Sequence, residues 1–363
     1  MTSRRQFLIA AAGTLTTTNL GGPIRPPRAR FVSAATTVGG DHAVAGIDTT
    51  GELLFTTPIG FRGHEVVVTP DRESAIVVGR RPRTQAVRIR LDDGAVVDRF
   101  ATDSNRHFYG HGVFTEDGKY FLTSENDFDN RRGVITIRDA DSLHVVEEFD
   151  SFGTGPHEMR WLSDGRTLAV ANGGIETHPA SGREKLNIDS MQPNLVFINT
   201  QNGALIHKVE PRYRQNSVRH IDLLGDDRVV VGMQQEDGSA TDRLLVAVAD
   251  RDDTMQSLAM PPADLRELAQ YTASVCVDAG TGHAIATCPR GNRVSFWQAR
   301  HGQYRGAVRI ADAAGICVDT EYQHFVVTTG RGLVYRFRCD NFESAGQPVR
   351  ISGISWDNHL TAV

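Results

Sequence analysis

The sequence predicts an all-β protein: a single seven-bladed β-propeller with four-stranded blades, its ring closed by pairing of the N- and C-terminal strands. Three observations carry that expectation. First, a short apolar strand followed by a turn recurs with starts at His64, His111, His157, His220, Ser274, Gly315 and His359, at steps of 47, 46, 63, 54, 41 and 44 residues, which are propeller blade lengths. Second, each step holds four strand-like runs, as in HEVVVT, SAIVVG, QAVRIRLD and AVVDRFA, with a tight-turn signal at Asp93-Gly94. Third, the last step leaves only DNHLTAV at 357–363, a first strand with nothing after it. The other end of the chain supplies FVSAAT, HAVAGID and ELLFTTPI, three strands with nothing before them. Joined, the two ends make one blade and remove an open sheet edge.

Taken in chain order, the first 30 residues read as an address. SRRQFL, from Ser3 to Leu8, has the form of a twin-arginine export motif, and the run IAAAGTLTTTNLGG after it is too short and too polar to span a membrane. Residues 1–30 are therefore assigned to a leader and 31–363 to the propeller, with a periplasmic destination by the twin-arginine pathway. Chains exported this way cross the membrane folded, which suits a cofactor loaded beforehand. Third strands follow as VITIRDA, NLVFINT, LLVAVAD, RVSFWQA and LVYRFRC, and turns at Asn202-Gly203 and His301-Gly302 lead into fourth strands. The long step after His157 contains an insert at 175–192 expected to cover part of one face. With 40% hydrophobic residues, 35 glycines and a formal charge of −5 over 363 residues, the composition is that of a globular domain. It lacks the clustered basic charge that nucleic-acid binding needs, and no membrane span is expected in the mature chain.

In a propeller the first strand of each blade lines the central channel. His64, His111, His157, His220 and His359 therefore face one axis from five consecutive blades, at the channel mouth. Ser274 and Gly315 in the remaining two blades leave the ring lopsided, with open positions on one side. Imidazoles in that arrangement suit a transition metal, copper or iron ahead of zinc, and Glu65, Glu158 and Asp222 stand close enough in sequence to fix ring tautomers. The competing reading is structural. In tryptophan-aspartate repeats a Gly-His pair before the first strand is bonded to an Asp and a Trp, and Gly63-His64 and Gly110-His111 have that form. Here the third strands carry no Trp-Asp, and histidine persists without glycine at His157, His220 and His359. The other histidines fall off this register, with His107 and His178 nearest the same face. Loops after the second strands place Arg80, Arg81, 125–127, Asn172, 234–236, Arg290 and Arg331 around the mouth, where arginines suit an anion or a chelated metal. Cys276 and Cys317 occupy matching places in two repeats and read as buried small thiols; with Cys288 and Cys339 they form no zinc or redox pattern. Hydrolase, phosphate-loop and haem-attachment motifs are absent from the sequence.

SRRQFL, the strand starts RGHE, YGHG and GPHEMRW, and the NHL tail together resemble an exported bacterial propeller family of unknown function, domain of unknown function 1513, over nearly the whole chain. Its members tend to be encoded beside imelysin-type and di-haem proteins of iron uptake. The resemblance thus implies periplasmic metal acquisition with such proteins as partners. The ring is also similar to the propeller of nitrous-oxide reductase, whose channel histidines hold copper, but two blades here lack histidine and no electron-transfer domain is present, so that catalysis is not carried over. The leading expectation is a metal-binding propeller acting in iron or copper handling. The alternatives are a metal-dependent propeller enzyme of oxidase or lyase type, and an interaction scaffold with structural histidines. Whether the protein is an enzyme stays open, leaning towards not.

Overall fold

The computed structural model describes residues 28–182, 184–238 and 242–363. The twin-arginine pair Arg4-Arg5 lies outside them. Seven antiparallel sheets follow one another around an axis. Numbered from the first complete one, blade 1 begins with Gly63–Val68, blade 2 with Arg106–Phe114, blade 3 with Pro156–Trp161, blade 4 with Asn216–Leu223, blade 5 with Ser274–Asp278 and blade 6 with Ala313–Asp319. Each of these is the innermost strand, and three more pair outward from it in sequence order.

Blade 7 is assembled from both ends of the chain. Phe31–Thr37, His42–Ile47 and Leu53–Pro58 are its outer three strands, and the C-terminal segment supplies the inner one. That inner strand starts earlier than the sequence suggests and is broken in two. Ile354–Trp356 pairs with Ala35–Thr37 and Thr361–Ala362 pairs with Phe31 and Val32, while the residues between bulge away. Ser33 Oγ donates to the His359 carbonyl at 2.5 Å, and Thr361 Oγ1 donates to the Val66 carbonyl at 2.6 Å, tying the tail to both its own blade and blade 1.

Valine, isoleucine and alanine alternate through the inner three strands of each blade because both faces of these strands are covered by neighbouring blades. Only the fourth strands, such as Val145–Asp150, are largely exposed. The apolar core accordingly falls into one cluster per junction, for example Phe197 and Leu195 of blade 3 against Val229 and Val231 of blade 4. Phe31 and Ile47 of blade 7 meet Val326 of blade 6 in the same way. Closure through the tail is thus packed like every other junction. The two long steps hold insertions: two single 3₁₀ turns at Pro179–Ser181 and Ile188–Ser190, and a short helix at Pro262–Glu267. No helix among the described residues is long and apolar enough to cross a membrane.

Candidate metal centre

Each histidine of the ring is placed by an irregularity in an inner strand. The pairing register slips between Gly63 and Val66, between Phe108 and Gly112, between Pro156 and Met159, and between Val218 and His220. His64, His111 and His157 fall inside those slips and His220 at the edge of one, while His359 lies in the break of the blade 7 strand. A bulge places two residues opposite one and re-aims a side chain, which here means towards the axis. Gly110 shows how tightly the result is fitted. It adopts φ +110°, and a Cβ there would stand 2.5 Å from His64 Cδ2. The blade 1 imidazole therefore lies against bare backbone of blade 2.

The five rings fill the channel. Adjacent centroids are 4.8 Å apart for His64–His111, 4.4 Å for His111–His157, 4.8 Å for His157–His220, 4.9 Å for His220–His359 and 4.5 Å for His359–His64. His111 also lies 4.7 Å from His359 across the ring. Two sequence expectations are corrected by this. The histidines sit deep in the channel, none more than 8% exposed, and not at its mouth. The lopsided gap is closed too, because His220 and His359 meet directly. Cavities lined by ring histidines open above and below the ring.

The carboxylates act one blade further on than their sequence positions imply. Glu65 of blade 1 accepts from His111 Nδ1 of blade 2 at 3.0 Å and from the Gly112 amide at 3.3 Å. Glu158 of blade 3 repeats this with His220 Nδ1 of blade 4 at 3.2 Å and the Ile221 amide at 3.0 Å. Asp222 makes only the backbone half of the contact, accepting from the Val277 amide of blade 5 at 2.7 Å where no histidine waits. A carboxylate on Nδ1 keeps the proton there and leaves the Nε2 lone pair free, the ligand form of the ring.

Sequence reasoning missed Arg160, the group that holds these carboxylates together. Its guanidinium donates to Glu158 and lies 3.7 Å from Glu65 and 3.8 Å from Asp222. The available signal was an arginine two residues beyond a ring glutamate in an inner strand. Burial opposes ionisation of Glu158, but Arg160 and the His220 bond outweigh it and hold that carboxyl well below its usual range. Burial raises Asp222 instead, against the pull of Arg160. The imidazoles move the other way. Burial first, and then neighbouring histidines, push His64, His157 and His359 well below the ordinary value. For His220, burial outweighs the opposing pull of Glu158. These rings are neutral near pH 7.

Among the described residues, His64 Nδ1, His111 Nε2, His157 Nδ1 and His359 Nε2 are buried without a hydrogen-bond partner. Each such atom costs roughly 1–3 kcal/mol, a liability that a bound cation would offset. Ligand atoms of His64, His111 and His359 lie within 4.8 Å of one another, as do those of His111, His157 and His220. Drawing three of them to metal–nitrogen distances of about 2.0–2.1 Å needs ring movements of roughly 1 Å. His111 belongs to both groups but has one free nitrogen, since Glu65 takes the other. The ring therefore offers one site, not two. Donor type, protonation state and geometry all fit a transition metal.

The channel opens differently on its two sides. A cavity of about 260 Å³ above the ring is lined by His64, His157 and His220 together with Arg80, Arg81, Lys185, Arg219 and Arg290. Below, a cavity of about 630 Å³ meets His359, Arg160, Glu65, Asp222, Cys276 and Cys317. Arg80, Arg81, Gln234 and Arg290 thus take the places expected of them. Lys185, from the insert at 175–192, reaches the upper cavity as well. Residues 125–127 do not: Glu125 is buried with Arg138 at 2.8 Å, and Asp127 binds Arg132 at 3.1 Å. Asn172 is buried against Asn194 at 2.9 Å, and Arg331 lines neither cavity. His107 and His178 are structural. Both nitrogens of His107 are engaged, by the Phe108 carbonyl at 2.9 Å and by Asn126 at 3.0 Å, and His178 accepts from the Ala180 amide in a 3₁₀ turn. All four cysteines are free and buried.

Fold and site together define a closed seven-bladed propeller with a buried pentagon of histidines that can hold one metal ion. The chain belongs to the family described as protein of unknown function (DUF1513), whose profile matches residues 57–363. Among solved structures, a chain of Kuenenia stuttgartiensis hydrazine synthase shares the fold with a TM-score of 0.62 and 12% identity, over 94% of this chain and 100% of that one. No curated protein matches the sequence.

Proposed function

We propose that the protein binds one transition metal ion in the histidine ring and serves in copper or iron handling outside the cytoplasm, after export by the twin-arginine route. One observation carries the metal reading: four buried ring nitrogens lack partners, ring donor atoms lie within 4.8 Å of one another in two triads that share His111, and carboxylates of adjacent blades fix the tautomers of two of the rings. A scaffold would gain nothing from orphaned nitrogens, and structural histidines would be bonded through both, as His107 is. An all-imidazole donor set suits copper, iron or zinc. Three imidazole donors with an approach from above leave coordination positions open, unlike the four protein ligands of a closed zinc site, and copper or iron is the reading proposed here. The family's association with imelysin-type and di-haem iron-uptake proteins supports iron handling and names the partners to test.

The reading is tested by elemental analysis of protein recovered from its native compartment. About one copper or iron per chain is expected, falling to background in His111→Ala while the fold persists by circular dichroism. Metal-free native protein that also fails to take up copper or iron in vitro would refute it.

A further inference from the structure

A free divalent cation would meet an unfavourable field on the way to the ring from above. Arg80, Arg81, Lys185, Arg219 and Arg290 surround that funnel, and none of its described lining side chains is a carboxylate. Two carboxylates lie behind them: Asp357 pairs with Arg80 at 3.0 Å and with Arg62 at 2.6 Å, and Glu236 pairs with Lys185 and lies 3.5 Å from Arg219. Asp357 is shared by Arg62 and Arg80 and Glu236 by Lys185 and Arg219, so that with the exposed Arg290 the funnel carries net positive charge. Arg219 is only 6% exposed, directly precedes His220 in the bulged strand, and keeps its Nε buried without a partner. Arg290 stands over the Tyr271 ring at 4.2 Å, held upright at the rim. Cationic side chains around a pocket focus its field and raise the local concentration of anions, and guanidinium groups bind carboxylates in paired hydrogen bonds.

We propose that the funnel binds a small polycarboxylate, and that the metal reaches or occupies the histidine ring as an anionic carboxylate chelate. The cationic groups come from four of the seven blades, 1, 3, 4 and 5. A ligand carrying several carboxylates on its periphery satisfies that layout, and a single compact anion does not. A volume of about 260 Å³ admits a small molecule and excludes a macromolecule. A carboxylate entering from above would sit over His64, His157 and His220, where the pentagon leaves its open coordination position. The chelate half rests on the metal reading; the anion half does not.

Isothermal titration of chelator-stripped protein separates the two. Citrate is the probe, with phosphate and sulfate as comparison anions and copper(II) chloride as the metal alone. Citrate is expected to bind the metal-free protein more tightly than phosphate or sulfate. Arg219→Gln and the exposed Arg290→Gln should each weaken it roughly tenfold or more, with unchanged melting for Arg290→Gln. His111→Ala, whose ring does not line the funnel, should keep citrate binding. Citrate should tighten copper binding, and copper citrate binding, by the same factor. Absence of citrate binding, or binding indifferent to both arginine variants, overturns the proposal even where copper binds. Citrate binding without any copper or iron binding leaves the anion site standing and overturns the metal reading. Equal affinity for phosphate, sulfate and citrate overturns the polycarboxylate assignment, and copper binding that citrate does not tighten overturns the chelate.

Discussion

Blades 5 and 6 share their architecture with the other five but give nothing to the centre, and the difference lies in one or two residues of each inner strand. In blade 5 the pairing runs without a slip from Ser274 opposite Thr287 to Asp278 opposite His283. No bulge turns a side chain inward. Blade 6 does slip, between Ala313 and Ile316, yet Gly315 stands where a histidine would. A Cβ there would lie 2.5 Å from Thr328 Oγ1 and 3.1 Å from the His359 carbonyl carbon. The displaced tail strand already occupies the space that a side chain of blade 6 would need. A propeller blade is thus indifferent to what its inner bulge carries, and the site is written in the bulge alone. On the histidine side, polar atoms are left unsatisfied. On the bare side Thr287 Oγ1 is paired with the Ala314 carbonyl at 2.6 Å, while Ser295 Oγ and Thr328 Oγ1 are buried without partners there as well.

The sharpest way to break this comparison is to remove residues 354–363, which takes away His359 and the inner strand of blade 7 together. The ring would open on two unpaired strand edges. Soluble, monodisperse protein should be lost on size-exclusion chromatography. A truncated chain that melts like the parent would show that closure through the tail is dispensable.

Next in size is a paired substitution on the two sides. His64→Leu should abolish metal binding yet leave the melting temperature of the metal-free protein unchanged or higher, because it removes a buried nitrogen that has no partner. Thr287→Val should do the opposite, costing about 1 kcal/mol in denaturant unfolding with metal affinity intact. Equal destabilisation by both would make the histidines structural.

Acid should also act on the histidine side. His107 of blade 2 is lowered to about 4, chiefly by burial, so the unfolded chain takes up a proton there that the folded chain refuses. Its contribution is fully present above the unfolded value of about 6.5, falls as pH drops from there towards 4, and is level below that. At 1.36 kcal/mol per unit it comes to roughly 3 kcal/mol. The lowered His64, His157 and His359 add to it in the same direction. Urea midpoints of metal-free protein between pH 7 and pH 4 measure the slope, which His107→Gln should flatten. A midpoint independent of pH in that range would contradict the burial of these rings.

Much of this was legible in the sequence because a propeller repeats. Seven strand starts, the split blade and the five histidines all follow from register, and the closing sheet confirms the split with Phe31–Thr37 between the tail and His42–Ile47. What was not legible depends on distances across blades. Glu65 sits beside His64 in sequence but serves His111, because neighbouring inner strands touch side by side. The meeting of His220 with His359 depends on the radius of the channel, which no repeat length encodes. Arg160 and Arg219 were hidden by the same periodicity, since the other blades carry apolar residues in the Arg160 register, such as Val67, Phe114, Leu223, Val277 and Val318, and mostly small ones in the Arg219 register, such as Gly63, Gly110 and Ala273.

The smallest effect expected is none. Ser274→His adds a sixth imidazole to the sequence register, but the regular blade 5 strand leaves position 274 lining the lower cavity. Competition with a chromophoric chelator should return the parent's metal affinity. A gain would mean that the bulge is not what selects the ligands.

The central claim is that one ion sits among the ring nitrogens, and X-ray absorption on copper-loaded protein tests it most directly. A shell of three or more imidazole nitrogens near 2.0 Å is expected, with the outer-ring scattering of histidine and no sulfur. A shell of thiolate from Cys276 and Cys317, or of oxygen alone from Glu65 and Asp222, would move the metal into the lower cavity and contradict it.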